Sequence, residues 1–186
     1  MKLPRTLRLD ASDTFVFSPA AEAGEWAVSG SFLFFDADFD ALAPKERAAL
    51  RAGFLGLASF GWSTLVVVTP VTQEERASAV AGLARFIHEK LGAPTMEDAY
   101  AAAEEEIVFA ASICDHPEGT LLAVQRSVED GEIRERFRTL HQRAKEKGAD
   151  PLHAQARAFT FVESEGEEDK IEEHVDLIGL MKDKAP

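Results

Sequence analysis

The sequence predicts an α+β fold, a mixed or antiparallel sheet with about three helices, in a single compact domain spanning residues 1–186. Three observations predict it. Alternating and aromatic-rich stretches fill the first third of the chain, three later segments repeat apolar residues at helical spacing, and an Asp130-Gly131 turn separates two strand-like arms. With 46% hydrophobic and 28% charged residues, a chain of this length can bury a substantial core.

The elements follow in order. Leu3 to Leu9 alternates, Thr14 to Phe17 is apolar and aromatic, and Trp26 to Phe35 is an aromatic run closed by Asp36-Ala37-Asp38, so all three read as strands. Pro44 suits a first helical turn, and an Ala/Leu-rich segment carries a helix from there to about Ser59, its apolar stripe made of Leu50, Phe54 and Leu57. Gly61 ends that helix, and Leu65-Val66-Val67-Val68 reads as a central strand closed by Pro70. Thr72 and Glu75 form a capping box for a second helix, whose stripe is Val80, Leu83, Ala84, Ile87 and Leu91, with Gly92 as its stop.

A third helix starts at Thr95, with Met96, Ala99, Ala103, Ile107, Ala110 and Cys114 on one stripe. Because Ile107-Val108-Phe109-Ala110-Ala111 is apolar all round, that half is expected to lie under other elements. Thr120 to Val128 and the arm from Glu132 read as a hairpin, since Asp-Gly supplies the positive backbone angles of a tight primed turn. The return arm over 132–147 also fits a helical period and stays open between strand and helix. Ala156 to Val162 reads as a strand, 163–173 as an exposed acidic loop, and Val175 to Met181 as a short terminal element.

Charge excludes several classes of function. Twenty Lys and Arg against 33 Asp and Glu leave a net charge of −13, which repels phosphate backbones and anionic membrane surfaces, so neither nucleic acid nor a membrane is an expected partner. No apolar run reaches the roughly 18 residues of a membrane helix, and the N-terminus lacks a signal-peptide core. One cysteine permits no internal disulfide and no multi-cysteine metal site within the chain. The expectation is a cytoplasmic protein, working with a protein partner or as a homo-oligomer.

Phosphate-loop, dinucleotide, esterase-elbow and zinc-protease patterns are all absent from the sequence. His88-Glu89 is a near miss that reads as part of an amphipathic helix. The densest polar cluster is Cys114-Asp115-His116-Pro117-Glu118-Gly119, whose Cys114, Asp115, His116 and Glu118 carry thiolate, imidazole and carboxylate groups competent for zinc or iron. The competing reading is a plain turn with Cys114 as a small buried hydrophobe. Catalysis by Cys114 is disfavoured, because a helix C-terminus and Asp115 both raise the thiol pKa. Glu104-Glu105-Glu106 reads as a solvated face and its margins, against the alternative of a carboxylate pair for acid–base work. Arg134, Arg136 and Arg138 would line one face of a strand as an anion site, with Glu129, Asp130, Glu132 and Glu135 near enough to neutralise them. Phe60, Trp62, Trp26, Phe32, Phe34 and Phe35 suit a core or a subunit interface.

Four stretches, Pro4 to Asp10, Gly24 to Val28, Phe60 to Thr64 and Cys114 to Thr120, together resemble an uncharacterised family of small acidic bacterial proteins. The resemblance spans most of the chain and transfers no catalytic residue. The leading expectation is a non-catalytic cytoplasmic accessory or binding protein. The alternative is a metal-binding protein or metalloenzyme with its site at the 114–119 turn.

Overall fold

A computed structural model describes residues 1–8, 11–142 and 161–164, with 141–142 and 161–164 known as backbone only. Among the described residues, four α-helices and two antiparallel sheets make an α+β fold. The larger sheet has the order β1-β5-β6-β7-β8, from β1 (Lys2–Leu7), β5 (Leu65–Pro70), β6 (Leu121–Glu129), β7 (Glu132–Gln142) and β8 (Phe161–Ser164). The smaller has the order β2-β3-β4, from β2 (Ala27–Val28), β3 (Phe54–Gly56) and β4 (Trp62–Ser63). An isolated bridge between Arg5 and Trp26 links β1 to the edge of the small sheet.

Several elements stand where the sequence places them. Helix α3 (Gln73–Leu91) opens on its capping box: Thr72 Oγ1 accepts from the Glu75 amide at 3.2 Å, and Glu75 Oε2 accepts from the Thr72 amide at 2.9 Å. Gly92 closes α3 in the left-handed conformation, as a C-terminal glycine does. Helix α4 (Met96–Ser112) is capped by Thr95, whose hydroxyl accepts from the Asp98 amide. At the hairpin tip Asp130 and Gly131 both have positive φ, 54° and 82°, which closes the two-residue turn. The return arm is settled as strand over 132–142, paired with β6 from Glu129↔Glu132 to Leu121↔Leu140.

Four expectations are corrected. Thr14 to Phe17 is not a strand; most of it lies in the short helix α1 (Ser12–Val16), where only Asp13 is buried. The Trp26 to Phe35 run keeps two strand residues and then turns into a 3-10 helix, Ser31–Phe34, entered through Gly30 at φ 79°. The helix from Pro44 ends at Ala52 as α2 (Pro44–Ala52), and Phe54 and Leu57 leave its stripe, Phe54 for β3 and Leu57 for the turn after it. The reason is burial: Phe54, Leu55, Gly56 and Leu57 are all enclosed, and a run apolar on every side satisfies its amides best between two strands. Fourth, Val108 and Phe109 are 56% and 38% exposed, while Ile107 and Ala110 are fully buried, so the second half of α4 keeps an ordinary two-faced packing.

The core falls into two clusters. In one, the α3 stripe (Val80, Leu83, Ala84, Ile87) meets the α4 stripe (Ala99, Ala103, Ile107, Ala110), with Leu3, Val28, Leu55 and Trp62 from the sheets. The other lies on the inner face of the large sheet, where Val66, Val68, Leu122 and Val124 pack with Ala27, Phe54 and Cys114. Among the aromatics, Trp62 packs tilted against Phe34 in the core, Phe60 stacks on Phe86 at 3.9 Å, and Phe35 is exposed. Of the elements expected beyond residue 142, β8 takes the end of the 156–162 strand and the first two residues of the acidic loop; 143–160 and 165–186 lie outside the described residues.

Candidate functional site at the β6–β7 hairpin

The hairpin sorts its side chains by parity, because successive strand residues point to opposite faces. Leu122, Val124, Arg126 and Val128 share one face with Thr139, Phe137, Glu135 and Ile133. Ala123, Gln125 and Ser127 share the other with Arg138, Arg136 and Arg134. The three arginines therefore do line one face of a strand, while Glu135, expected to help neutralise them, points the opposite way.

On the inner face Arg126 is buried, its side chain fully enclosed. Its Nε donates to Glu135 Oε1 at 2.7 Å, and Nη2 donates to Ser29 O at 2.6 Å and Ser29 Oγ at 2.9 Å. Nη1 donates to the carbonyls of Gly53 at 2.8 Å and Leu50 at 3.1 Å. These carbonyls are the open C-terminal groups of α2, so one guanidinium caps a helix and ties it to both sheets. Burial lowers the Arg126 pKa, and the nearby Glu135 and Glu106 charges act the other way.

Glu106 completes this inner group. Glu105 is exposed and Glu104 pairs with Arg76 of α3, but Glu106 is half-buried, with an Oε2 that is enclosed and has no hydrogen-bond partner among the described residues. Glu105 is thus the solvated face expected of 104–106, with Glu104 and Glu106 at its half-buried margins. Burial first, and then the Glu135 and Glu105 charges, push its pKa up to about 7, with Arg126 opposing.

A cleft of about 820 Å³ lies beside the same hairpin. Strand β5 begins at Leu65, opposite Ala123, so 124–129 of β6 continues with no β5 residue alongside, and α2 flanks that stretch. Its lining carries Arg47 and Arg51 of α2 and Arg138 of β7, against one acidic side chain, Asp40. Arg47 and Arg51 are one turn apart on an exposed face of α2. Arg47 donates to the Leu42 carbonyl at 3.2 Å, whereas Arg51 has no partner among the described residues. Gln125 and Thr64 add polar groups, and Phe39, Leu50 and Ala123 add apolar ones. Thr64 is held by Asp13, whose Oδ1 accepts from the Thr64 hydroxyl at 2.6 Å. Arg126 also reaches the lining, but its donors are committed inward.

The model of a family of unknown function (DUF6505) matches residues 1–158. The chain belongs to DUF6505. No curated protein matches it, and no solved structure does.

The other expected site of this DUF6505 chain is the 114–119 turn. Cys114 is 1% exposed and packs in the sheet cluster, where burial pushes its thiol up to about 12. Asp115 and Glu118 are exposed, and His116 is half-buried with its carbonyl accepting from Lys2 Nζ. Gly119 takes φ 82°, and its amide donates to Val68 O at 2.9 Å. Among the described residues no three His, Cys, Asp or Glu side chains gather around one point. Of the three outer arginines, Arg138 alone reaches the cleft, and Arg134 pairs with Glu132 at 3.4 Å on the open surface.

Sequence reasoning missed Arg126 and the α2 arginines, and it named Glu135 and Glu106 without their link to Arg126. A signal for Arg126 was present: it falls in the apolar phase of Leu122, Val124 and Val128. A charge at an inward strand position must carry its own partners with it. Arg47 and Arg51 carried no comparable signal, since a charged helix surface is commonplace.

Proposed function

We propose that this chain is a non-catalytic cytoplasmic accessory or binding protein whose ligand or protein partner docks in the cleft between α2 and β6. One observation carries the reading: most enclosed ionisable groups are committed to internal bonds, while on the cleft Arg51 has no partner among the described residues and Arg47 bonds through one nitrogen. Besides the Arg126 group, Glu25 accepts from the amides of Ala58 at 2.9 Å, Ser59 at 2.8 Å and Glu22 at 2.7 Å. Burial tends to raise the Glu25 pKa and these donors more than offset it, leaving it lowered, as for a carboxylate built into a scaffold. Glu106, the carboxyl group with a raised pKa, is not on the cleft lining, so it is not placed to act on a ligand held there.

Among the described residues no helix is long and apolar enough to cross a membrane, which fits docking by a soluble partner. The test is chemical-shift mapping of the 15N-labelled protein against a small-molecule library and against lysate fractions. Saturable shifts confined to Arg47, Arg51, Thr64, Gln125 and Ser127 are expected. Shifts centred on 114–118, together with about one equivalent of copurified zinc or iron, would replace this reading with a metal centre at Cys114, Asp115, His116 and Glu118.

A further inference from the structure

We infer that the cleft between α2 and β6 binds a small phosphate monoester, with the phosphate held by Arg47 and Arg51 and the organic group lying against Phe39 and Leu50. The inference rests on the binding reading above and adds the ligand's chemistry to it.

The lining carries four arginines, of which Arg126 is committed inward, against one carboxylate. Arginine presents a planar fork of donors that matches phosphate oxygens two at a time, and its charge persists at every physiological pH. Arg51 has no protein partner among the described residues, and Arg47 engages its partners through Nη2 alone. Arg138 approaches from β7, across the cleft from α2. Two α2 arginines one turn apart can therefore meet one dianion together.

The net charge of −13 does not forbid this. Exposed charges beyond the screening length of about 8 Å in physiological salt act weakly, so the arginines of the cleft set the local field. That field rejects cations. The apolar share of the lining, Phe39, Leu50 and Ala123, gives an organic group a surface that bare inorganic phosphate would leave unused. Gln125, an exposed amide without a partner among the described residues, can donate to an ester or phosphate oxygen.

The test is an NMR titration of the full chain in phosphate-free buffer with phenyl phosphate, inorganic phosphate and benzyl alcohol. Phenyl phosphate is expected to shift the Arg51, Gln125 and Ser127 amides saturably, with a Kd of about 1 mM or tighter. Inorganic phosphate should bind the same amides at least about threefold more weakly, and benzyl alcohol should not bind. Arg51→Gln, on an exposed side chain with no structural bond, should weaken phenyl phosphate about tenfold, and Arg51→Glu should abolish binding. No saturation by phenyl phosphate, or equal affinity in Arg51→Gln, overturns the phosphate assignment. If an acidic peptide or a lysate component then still titrates the same amides, the binding reading survives without it; if nothing does, both fall together.

Discussion

The two faces of the β6–β7 hairpin put the same residue type to opposite uses. On the inner face Arg126 is enclosed, and every one of its nitrogens has an acceptor in Glu135, Ser29 or the end of α2. On the outer face Arg134 and Arg136 are exposed, and Arg134 pairs with Glu132, itself exposed. Nothing in the side chains differs. Strand parity decides whether a guanidinium turns toward the carbonyls of a helix terminus or toward the outer face of the sheet, and so whether α2 depends on it.

The largest effect that could break this contrast is Arg126→Ala. It would strip the acceptors at Gly53, Leu50 and Ser29 of a donor and leave the Glu135 carboxylate, with a side chain 15% exposed, lacking its partner. Removing one partner from such a pair costs about 3–5 kcal/mol, a large part of an ordinary domain's stability. Urea denaturation measures it. A loss below about 1 kcal/mol would mean that α2 holds its place without the guanidinium.

Glu106 tests the same face through pH. Its carboxyl titrates near 7 in the fold against an ordinary 4.5, so the folded state holds the proton more tightly. Between those two values the folded state binds more protons than the unfolded, and stability therefore falls as pH rises through that window and stays reduced above it. Glu106→Gln removes the charge and keeps the shape. It should add about 1–2 kcal/mol at pH 8, less than the full shift implies because the group is only half-buried, and change little at pH 4. Thermal unfolding across that range checks both arms. An equal effect of the substitution at pH 4 and pH 8 would show that the carboxyl is not titrating in the fold.

How much of this was legible in the sequence divides along the same line. Features written in a few neighbouring residues were readable: the Thr72–Glu75 box, the Thr95 cap, the Asp130-Gly131 turn and the stripes of α3 and α4. Features that depend on what arrives from elsewhere were not. Phe54 fits a helical stripe as well as a strand, and only its place between β2 and β4 decides the matter. Arg126 looks like a surface residue until Ser29 and Gly53, 97 and 73 positions away, supply its acceptors. The cleft is least legible of all, because it exists where β5 begins and α2 flanks β6, and no single segment encodes that junction.

A cap outside the hairpin calibrates the scale. Thr72→Ala should cost about 1 kcal/mol, since it removes the acceptor of the Glu75 amide and half of a reciprocal pair at the start of α3. The same urea titration reads it. A loss equal to that of Arg126→Ala would show that exposed caps and enclosed arginines weigh alike in this fold, and the contrast between the faces would lose its force.

The smallest expected effect is the most direct test of parity. Arg134 lies on β7 one residue before Glu135, and its side chain is 62% exposed, as is Glu132 at 74%. An exposed ion pair gains little, because water screens the charges and ordering two long side chains costs entropy. Arg134→Ala should therefore change stability by no more than about 0.5 kcal/mol, while Glu135→Ala, its immediate neighbour in sequence, should cost about 3 kcal/mol by leaving the Arg126 charge enclosed without its carboxylate. Denaturation of the two single variants under identical conditions gives the comparison. If the two losses exchange, Arg134→Ala being the costly one, the register that puts Arg126 opposite Glu135 and Ser127 opposite Arg134 is wrong by one residue, since such a slip exchanges the faces of every side chain on the strand.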